Sequence, residues 1–291
     1  MNTTASQETA ARQACRISGL PDQPLTHLHQ HATSVFLLPT EDIVVRVSSA
    51  SQKQRLDTAV SLTRWLASHR FPATEPFDVP QPVLCGSFTV TFWVHYPQPE
   101  RGAPPAGHLG GLLRRLHDLP PPPLELPEYQ PLASLQKTLE QSISLRAEHR
   151  DWLTARTREL LAAYHRLDFP LGRGLLHGDA YPGNTLWDGA AARLGDWDEA
   201  AVGPREIDLA NTFQGVRFGR TTMELNDFSL RYGLDIRHWP GLPVLRKIRD
   251  LHTLGSYIRR ADRGDQAAAN QLTYRMETLR GGDELAQWAA A

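Results

Sequence analysis

Three short stretches of the chain concentrate side chains that do chemistry: His177-Gly178-Asp179-Ala180-Tyr181-Pro182-Gly183-Asn184, Asp196-Trp197-Asp198, and Gly203-Pro204-Arg205-Glu206-Ile207-Asp208. Their carboxylates and one amide sit among turn formers, on loops where side chains converge without being packed against a helix face. Carboxylates brought together repel unless a cation lies among them. Oxygen donors such as Asp and Asn suit magnesium, which takes one or two carboxylates and completes its shell with phosphate oxygens and water. The spacing separates the roles, because Asp179 stands five residues before Asn184 and Asp196 twelve residues after it. In phosphoryl transfer a first Asp orients or deprotonates the attacking hydroxyl, an Asn and a second Asp hold metal, and the rest is alignment and charge stabilisation. Asp179 is therefore expected as the base, with Asn184 and Asp196 as metal ligands. Singly, each is an ordinary turn or cap residue; it is the joint spacing that points to chemistry.

The elements that must hold these loops can be traced by periodicity. Ser34-Val35-Phe36-Leu37-Leu38 and Ile43-Val44-Val45-Arg46-Val47 flank a Pro39 to Asp42 turn and read as an antiparallel hairpin. Apolar positions from Leu56 to Leu66 recur at three- and four-residue steps, predicting a helix over 51–69. A second hairpin is expected from 82–86 and 88–94, broken by Pro97-Gln98-Pro99 as by a hinge. Beyond it the leucine stripe 109–116 and the stripe 152–164 are helical, as are 207–213, 221–231, 244–263 and 266–279. Short strands surround an Asp188-Gly189 turn. The fold class expected is α+β, with a small antiparallel sheet lobe over 1–96 and a larger, mainly helical lobe over 97–291. Residues 1 to about 16 are polar and Ala-rich, suggesting a mobile start or a loosely docked helix.

Lys and Arg number 31 against 32 Asp and Glu, so no net field recruits nucleic acid or an anionic membrane, and neither is expected as a partner. No apolar run is long enough to cross a bilayer, no charged-then-apolar leader is present, and there are two cysteines, Cys15 and Cys85. A cytoplasmic setting is expected. Trp65, Phe92, Trp93 and Trp187 fall at patterned core positions, with Trp93 the best placed to stack on a base. The Arg246-Lys247-Ile248-Arg249 piece reads as a solvated helix face.

The three motifs together resemble the catalytic and metal-binding motifs of the aminoglycoside phosphotransferase and choline kinase superfamily of small-molecule kinases. Weaker similarity at Arg64-Trp65-Leu66, Thr91 to Val94 and Leu112 to His117 extends it over most of 20–215. The resemblance implies a two-lobed, protein-kinase-like fold with ATP or GTP as phosphate donor, Mg2+ as cofactor, and a small hydroxylated acceptor bound by the C-terminal helices. It implies that hinge backbone near Phe92, Trp93 and Val94 holds the nucleotide base, that Asp208 buttresses the catalytic loop and that His177 orients it. Where the family often has a strand Lys on the phosphates this chain has Arg46, which keeps the charge but changes its geometry. The carboxylate expected to pair with it is Asp57. No Gly-rich phosphate loop occurs; Gln30-His31-Ala32-Thr33-Ser34 stands in its place, with Thr33 and Ser34 offering amides and hydroxyls.

The acceptor class stays open between an aminoglycoside-like antibiotic, which would make the chain a resistance enzyme, and a metabolic sugar, amino alcohol or amino acid. Two readings from other classes are a nucleotide-binding pseudokinase, and a metal-dependent hydrolase with His177, Asp179, Asp196, Asp198 and Asp208 around two metal ions.

Overall fold

The computed structural model describes residues 3–30, 33–100 and 102–289. In chain order it forms α1 (Thr3–Ile17), β1 (Thr26–Gln30), β2 (Ser34–Leu38), β3 (Ile43–Ser49), α2 (Lys53–Ser68), β4 (Val83–Cys85), β5 (Phe88–Val94), α3 (Ala106–His117), α4 (Ala133–Gln141) and α5 (Ala147–Tyr164). Then follow β6 (Arg173–Leu176), β7 (Thr185–Asp188), β8 (Ala191–Leu194), β9 (Ala201–Pro204), α6 (Glu206–Gln214), α7 (Thr222–Tyr232), α8 (Leu242–Ala261) and α9 (Gln266–Arg280). The described residues of 1–104, 118–127 and 182–200 make one unit, and those of 105–117, 128–181 and 201–291 a second.

The first unit is built on an antiparallel sheet in the order β1-β2-β3-β5-β4. Val35 pairs with Arg46, Val44 with Trp93 and Val45 with Phe92. Because side chains alternate across a strand, Phe36, Leu38, Ile43, Val45, Val47 and Phe92 share one buried face, while Val35, Val44, Arg46 and Trp93 share the other. The first face is closed by α1, whose Ala10, Ala11, Ala14 and Cys15 are buried in the same core. This corrects the expectation of a mobile or loosely docked start. Only a narrow stripe of small residues does the packing, which lets the helix approach the sheet closely while its polar residues hide the periodicity. Helix α2 buries Leu56, Ala59, Val60, Leu62, Thr63 and Leu66, as the spacing predicts.

The hairpin β7–β8 also belongs to the first unit, with Thr185 paired to Leu194 and Asp188 to Ala191. Its turn is made by Gly189, at φ 59°, where a side chain would be strained. One step beyond the strands, the Gly195 N–H donates to the Asn184 carbonyl at 2.8 Å, so Asn184 and Asp196 leave the same end of the hairpin.

The second unit is mainly helical, with α3 packed on α7, and α8 on α4, α5, α6 and α9. Thr221 caps α7 through a reciprocal capping box with Glu224. The β6–β9 pair, Leu175 opposite Val202 and Leu176 opposite Ala201, brings the loop that follows β6 beside the start of α6. That pairing positions the 177–179 motif.

Candidate active site

In the second unit, Asp208 lies on the first turn of α6 and is fully buried. Its carboxylate accepts the backbone N–H groups of His177 and Gly178, both at 2.8 Å, and lies 3.2 Å from His117 Nε2. An ionised Asp208 can only accept, so His117 donates to it from Nε2, and its Nδ1 lies 2.9 Å from the Tyr232 hydroxyl. Burial alone would raise the Asp208 carboxyl. The hydrogen bond and charge interaction with His117, together with those of His177, outweigh it and hold the group below the usual carboxylate range. The loop is bent at Gly178, at φ 85°, and His177 Nδ1 accepts the Asp179 N–H at 3.3 Å. The Gly203 to Glu206 motif ties down a second turn: buried Glu206 accepts the Leu171 N–H at 2.7 Å, and Arg205 donates to the Leu171 carbonyl at 2.9 Å.

Asp179 is thereby held at the end of a pinned loop, and its carboxylate meets a residue that the sequence pattern did not bring to it. Arg249 of α8 places Nη2 2.6 Å from Asp179 Oδ1. Arg249 is 8% exposed, which corrects its reading as part of a solvated helix face. Tyr129 lies in the same electrostatic neighbourhood; burial pushes its phenol up to about 12, against an opposing pull from Arg249.

In the first unit, the face of the sheet away from α1 opens on a cavity of about 610 Å3. Val35, Val44 and Trp93 form its apolar wall; Arg46, Asn184 and Asp196 stand at its polar end. Arg46 donates from Nη2 to Asp196 Oδ1 at 3.2 Å and to Asp198 Oδ2 at 3.0 Å. Burial works to lower the guanidinium pKa, yet the charges of Asp198 and Asp196 prevail and raise it above its ordinary value. Asp196 itself sits at φ 59°, ψ 64°, a left-handed conformation that a non-glycine residue adopts at a cost. The donor set fits a hard divalent cation: two carboxylates and an amide, all oxygen donors, beside one guanidinium.

A family model described as the phosphotransferase enzyme family matches residues 25–247. The chain belongs to that family. No curated protein matches it by sequence. Among solved structures, an amicoumacin kinase in complex with AMP-PNP, Ca2+ and Ami is similar with a TM-score of 0.73 and 14% identity, over 99% of this chain and 98% of that one. A choline/ethanolamine kinase family protein from Mesorhizobium loti gives 0.65 and 17%, over 97% and 96%. Aminoglycoside phosphotransferase APH(3'')-Id from Streptomyces rimosus gives 0.64 and 17%, over 86% and 99%. The fold is therefore the α+β, protein-kinase-like one, and the chain is a phosphotransferase.

Several expected site residues of this phosphotransferase lie elsewhere than the sequence suggested. Asp57 bonds Lys53 at 2.6 Å, four residues away on α2, while Arg46 takes Asp196 and Asp198. Ser34 shares the core face of β2 with Phe36 and donates to Gln7 of α1 at 2.8 Å, so its hydroxyl is withdrawn from the cavity that Thr33 lines. His31 and Ala32 lie outside the described residues. Phe92 is fully buried, its N–H donates to Gln81 Oε1 at 2.8 Å, and its carbonyl accepts the Phe77 N–H at 2.9 Å. The Val94 N–H is likewise engaged, by Glu75 O at 2.9 Å.

Sequence reasoning missed His117 and Arg249 as partners of Asp208 and Asp179. A signal existed for the burial of the second, though not for its partner: Arg249 follows Leu242 and Leu245 on one helical stripe. Among the described residues no group of three or more His, Cys, Asp or Glu side chains could hold a metal ion. Asp208 is engaged by the loop amides and His117, and Asp198 by Arg46.

Proposed function

We propose that this phosphotransferase moves the γ-phosphoryl group of a nucleoside triphosphate, ATP or GTP, onto a hydroxyl of a small acceptor. The observation that carries the reading is Arg46, forked between Asp196 and Asp198 at the polar end of a cavity whose other wall is apolar. An aromatic base fits the apolar part, against Val35, Val44 and Trp93. The triphosphate fits the polar end, where Arg46 meets phosphate oxygens and Asn184 and Asp196 hold Mg2+. When bound, the metal neutralises charge on the transferred group and leaving group. Outward-facing backbone along the hinge alternates as 92, 94, 96; with Phe92 and Val94 engaged, the Tyr96 N–H is the donor left for the base among the described residues.

Asp179 orients the acceptor hydroxyl. As the acceptor oxygen bonds to the γ-phosphorus, the bond to the β-phosphate oxygen breaks, the nucleoside diphosphate leaves, and the hydroxyl proton passes to the Asp179 carboxylate and on to solvent. Asp208 and His177 hold the loop in place. Residues 1–96 serve as the nucleotide lobe together with the 182–200 hairpin that carries Asn184 and Asp196, and the rest of 97–291 serves as the catalytic and acceptor lobe. Of the similar structures, one holds AMP-PNP and another, of APH(3'')-Id, holds ADP and streptomycin, which supports a nucleotide donor and a small acceptor. No helix among the described residues is long and apolar enough to cross a membrane, and both cysteines are free thiols, which supports a reducing, cytoplasmic site of action.

The test is thermal stabilisation by ATP and by GTP, with and without magnesium, in the parent and in Asp196→Ala, followed by diphosphate release over a panel of hydroxylated compounds. The reading expects stabilisation that requires both magnesium and Asp196, and turnover that disappears in Asp179→Ala. A protein indifferent to nucleotide would sink it; stabilisation without turnover over the whole panel would leave a nucleotide-binding protein that is not a kinase.

A further inference from the structure

Arg249 is a buried cation on the carboxylate that must receive the acceptor. Moving a guanidinium out of water costs several kcal/mol, of order, unless its donors are matched. Yet the Arg249 Nε–H is buried with no acceptor in the protein, and among the described residues Asp179 is its one ion-pair partner. The neighbouring carboxylates cannot serve it. Asp208 is engaged by the loop amides and His117, and Asp250, next to Arg249 in sequence, by Gln214 and Arg217 at 3.0 and 3.1 Å.

A second buried group, on α6, is also unsatisfied. Asn211 follows Asp208 by three residues on α6, and so shares its helix face. It is 4% exposed, and neither its amide nitrogen nor its oxygen has a partner. α6 packs on α8, the helix of Arg249. The fold thus places a guanidinium edge with an unmatched donor, and an amide with both polar atoms unmatched, on two packed helices that anchor the Asp179 loop.

Resting on the assignment of Asp179 to the hydroxyl, we propose that Arg249 sets acceptor specificity, and that the acceptor carries an oxyanion, a carboxylate or phosphate monoester, a few atoms from its reacting hydroxyl. An oxyanion matches the guanidinium edge in two parallel hydrogen bonds, through Nε and a terminal nitrogen. Its arrival satisfies the buried Nε–H and loosens the hold on Asp179 Oδ1, so the base turns to the hydroxyl as the correct acceptor binds. A polycation meets the opposite situation: it is repelled by Arg249 and competes with it for Asp179.

The experiment uses the full chain with nucleotide and magnesium, and measures both calorimetric binding and diphosphate release. The panel holds hydroxy acids, sugar phosphates, neutral polyols, amino alcohols and aminoglycosides; the best acid is then compared with its amide. The expected best acceptor is an oxyanion, and amidation or dephosphorylation lowers kcat/KM by about 100-fold. Arg249→Gln removes that difference, chiefly through KM, and Arg249→Lys restores part of it. Melting temperatures of both variants separate misfolding from lost recognition, and the arms separate carboxylate from phosphate. A neutral or cationic best acceptor overturns the proposal, as does an undiminished acid-to-amide ratio in Arg249→Gln, an equal fall in kcat for acid and amide, or no oxyanion bound or phosphorylated. Magnesium-dependent nucleotide stabilisation, recorded on the same samples, distinguishes the failures: its absence defeats the kinase reading, whereas its presence with a neutral or cationic preference defeats only the acceptor assignment.

Discussion

The Asp208 carboxylate accepts the Gly178 N–H at 2.8 Å from the first turn of α6, across 30 residues of chain. With the His177 N–H on its other oxygen, the same side chain fixes two successive peptide units and therefore the direction in which Asp179 leaves the loop.

Replacing that carboxylate with an amide tests the bracing directly. Asp208→Asn puts an NH2 where two N–H groups need acceptors, and the expected loss of stability is on the order of 3 kcal/mol. The native pKa is depressed, so between it and the unfolded value of about 3.9 the unfolded chain binds more protons. This contribution is complete above the unfolded value and drains as the pH falls through the native one. Melting temperature against pH should fall less steeply on the acid side in Asp208→Asn; an unchanged acid limb removes Asp208 as its source.

Arg46 neutralises two carboxylates and, on the proposed reading, the triphosphate. Arg46→Gln is expected to raise KM for nucleotide by at least about 10-fold, and to tighten binding of Mn2+ in the absence of nucleotide, because Asp196 and Asp198 lose their counter-charge. Calorimetry with Mn2+ alone reads the second effect. Weaker metal binding in the variant would contradict the arrangement.

Asp57 supplies a contrast. Its pair with Lys53 is half-exposed and local to α2, so Asp57→Ala should change stability by no more than about 0.5 kcal/mol and leave kcat/KM within about twofold. A large loss of activity would mean that Asp57 reaches Arg46 during turnover.

Both thiols should resist modification. Cys15 is 1% exposed and its pKa is pushed up to about 11, by burial first and the Asp22 charge second, and burial raises Cys85 as well. At pH 8 a disulfide reagent should react at least about 100-fold more slowly with native than with denatured protein. Rapid labelling of Cys15 would show that α1 leaves the sheet.

Asn184 and Asp196 were legible as neighbours because they flank one hairpin, β7–β8, while the roles given to them and to Asp179 belong to the proposal. Arg46 was legible from the alternation of Ile43, Val44 and Val45. The same alternation applied to 34–38 assigns Ser34 to the core with Phe36 and Leu38, so its misplacement was avoidable. Arg249 and His117 were not legible as partners of the loop. Each reaches it from a distant helix, and no local pattern encodes which helix packs there. The Gln81 side chain on the Phe92 backbone belongs to the same class, since an amide standing in for a neighbouring strand leaves no periodicity.

The family's shared sequence begins at residue 25, but Ala10, Ala11, Ala14 and Cys15 already lie inside the core of the sheet. The family-model match and the core of the sheet therefore have different starting points in this chain. A gene product trimmed to the homologous segment would present Phe36, Ile43, Val45 and Phe92 to water as a continuous apolar surface, the kind that drives polypeptides into inclusion bodies. Helix α1 is in this sense an intramolecular chaperone that stays bound, and an affinity tag is better fused at the other terminus.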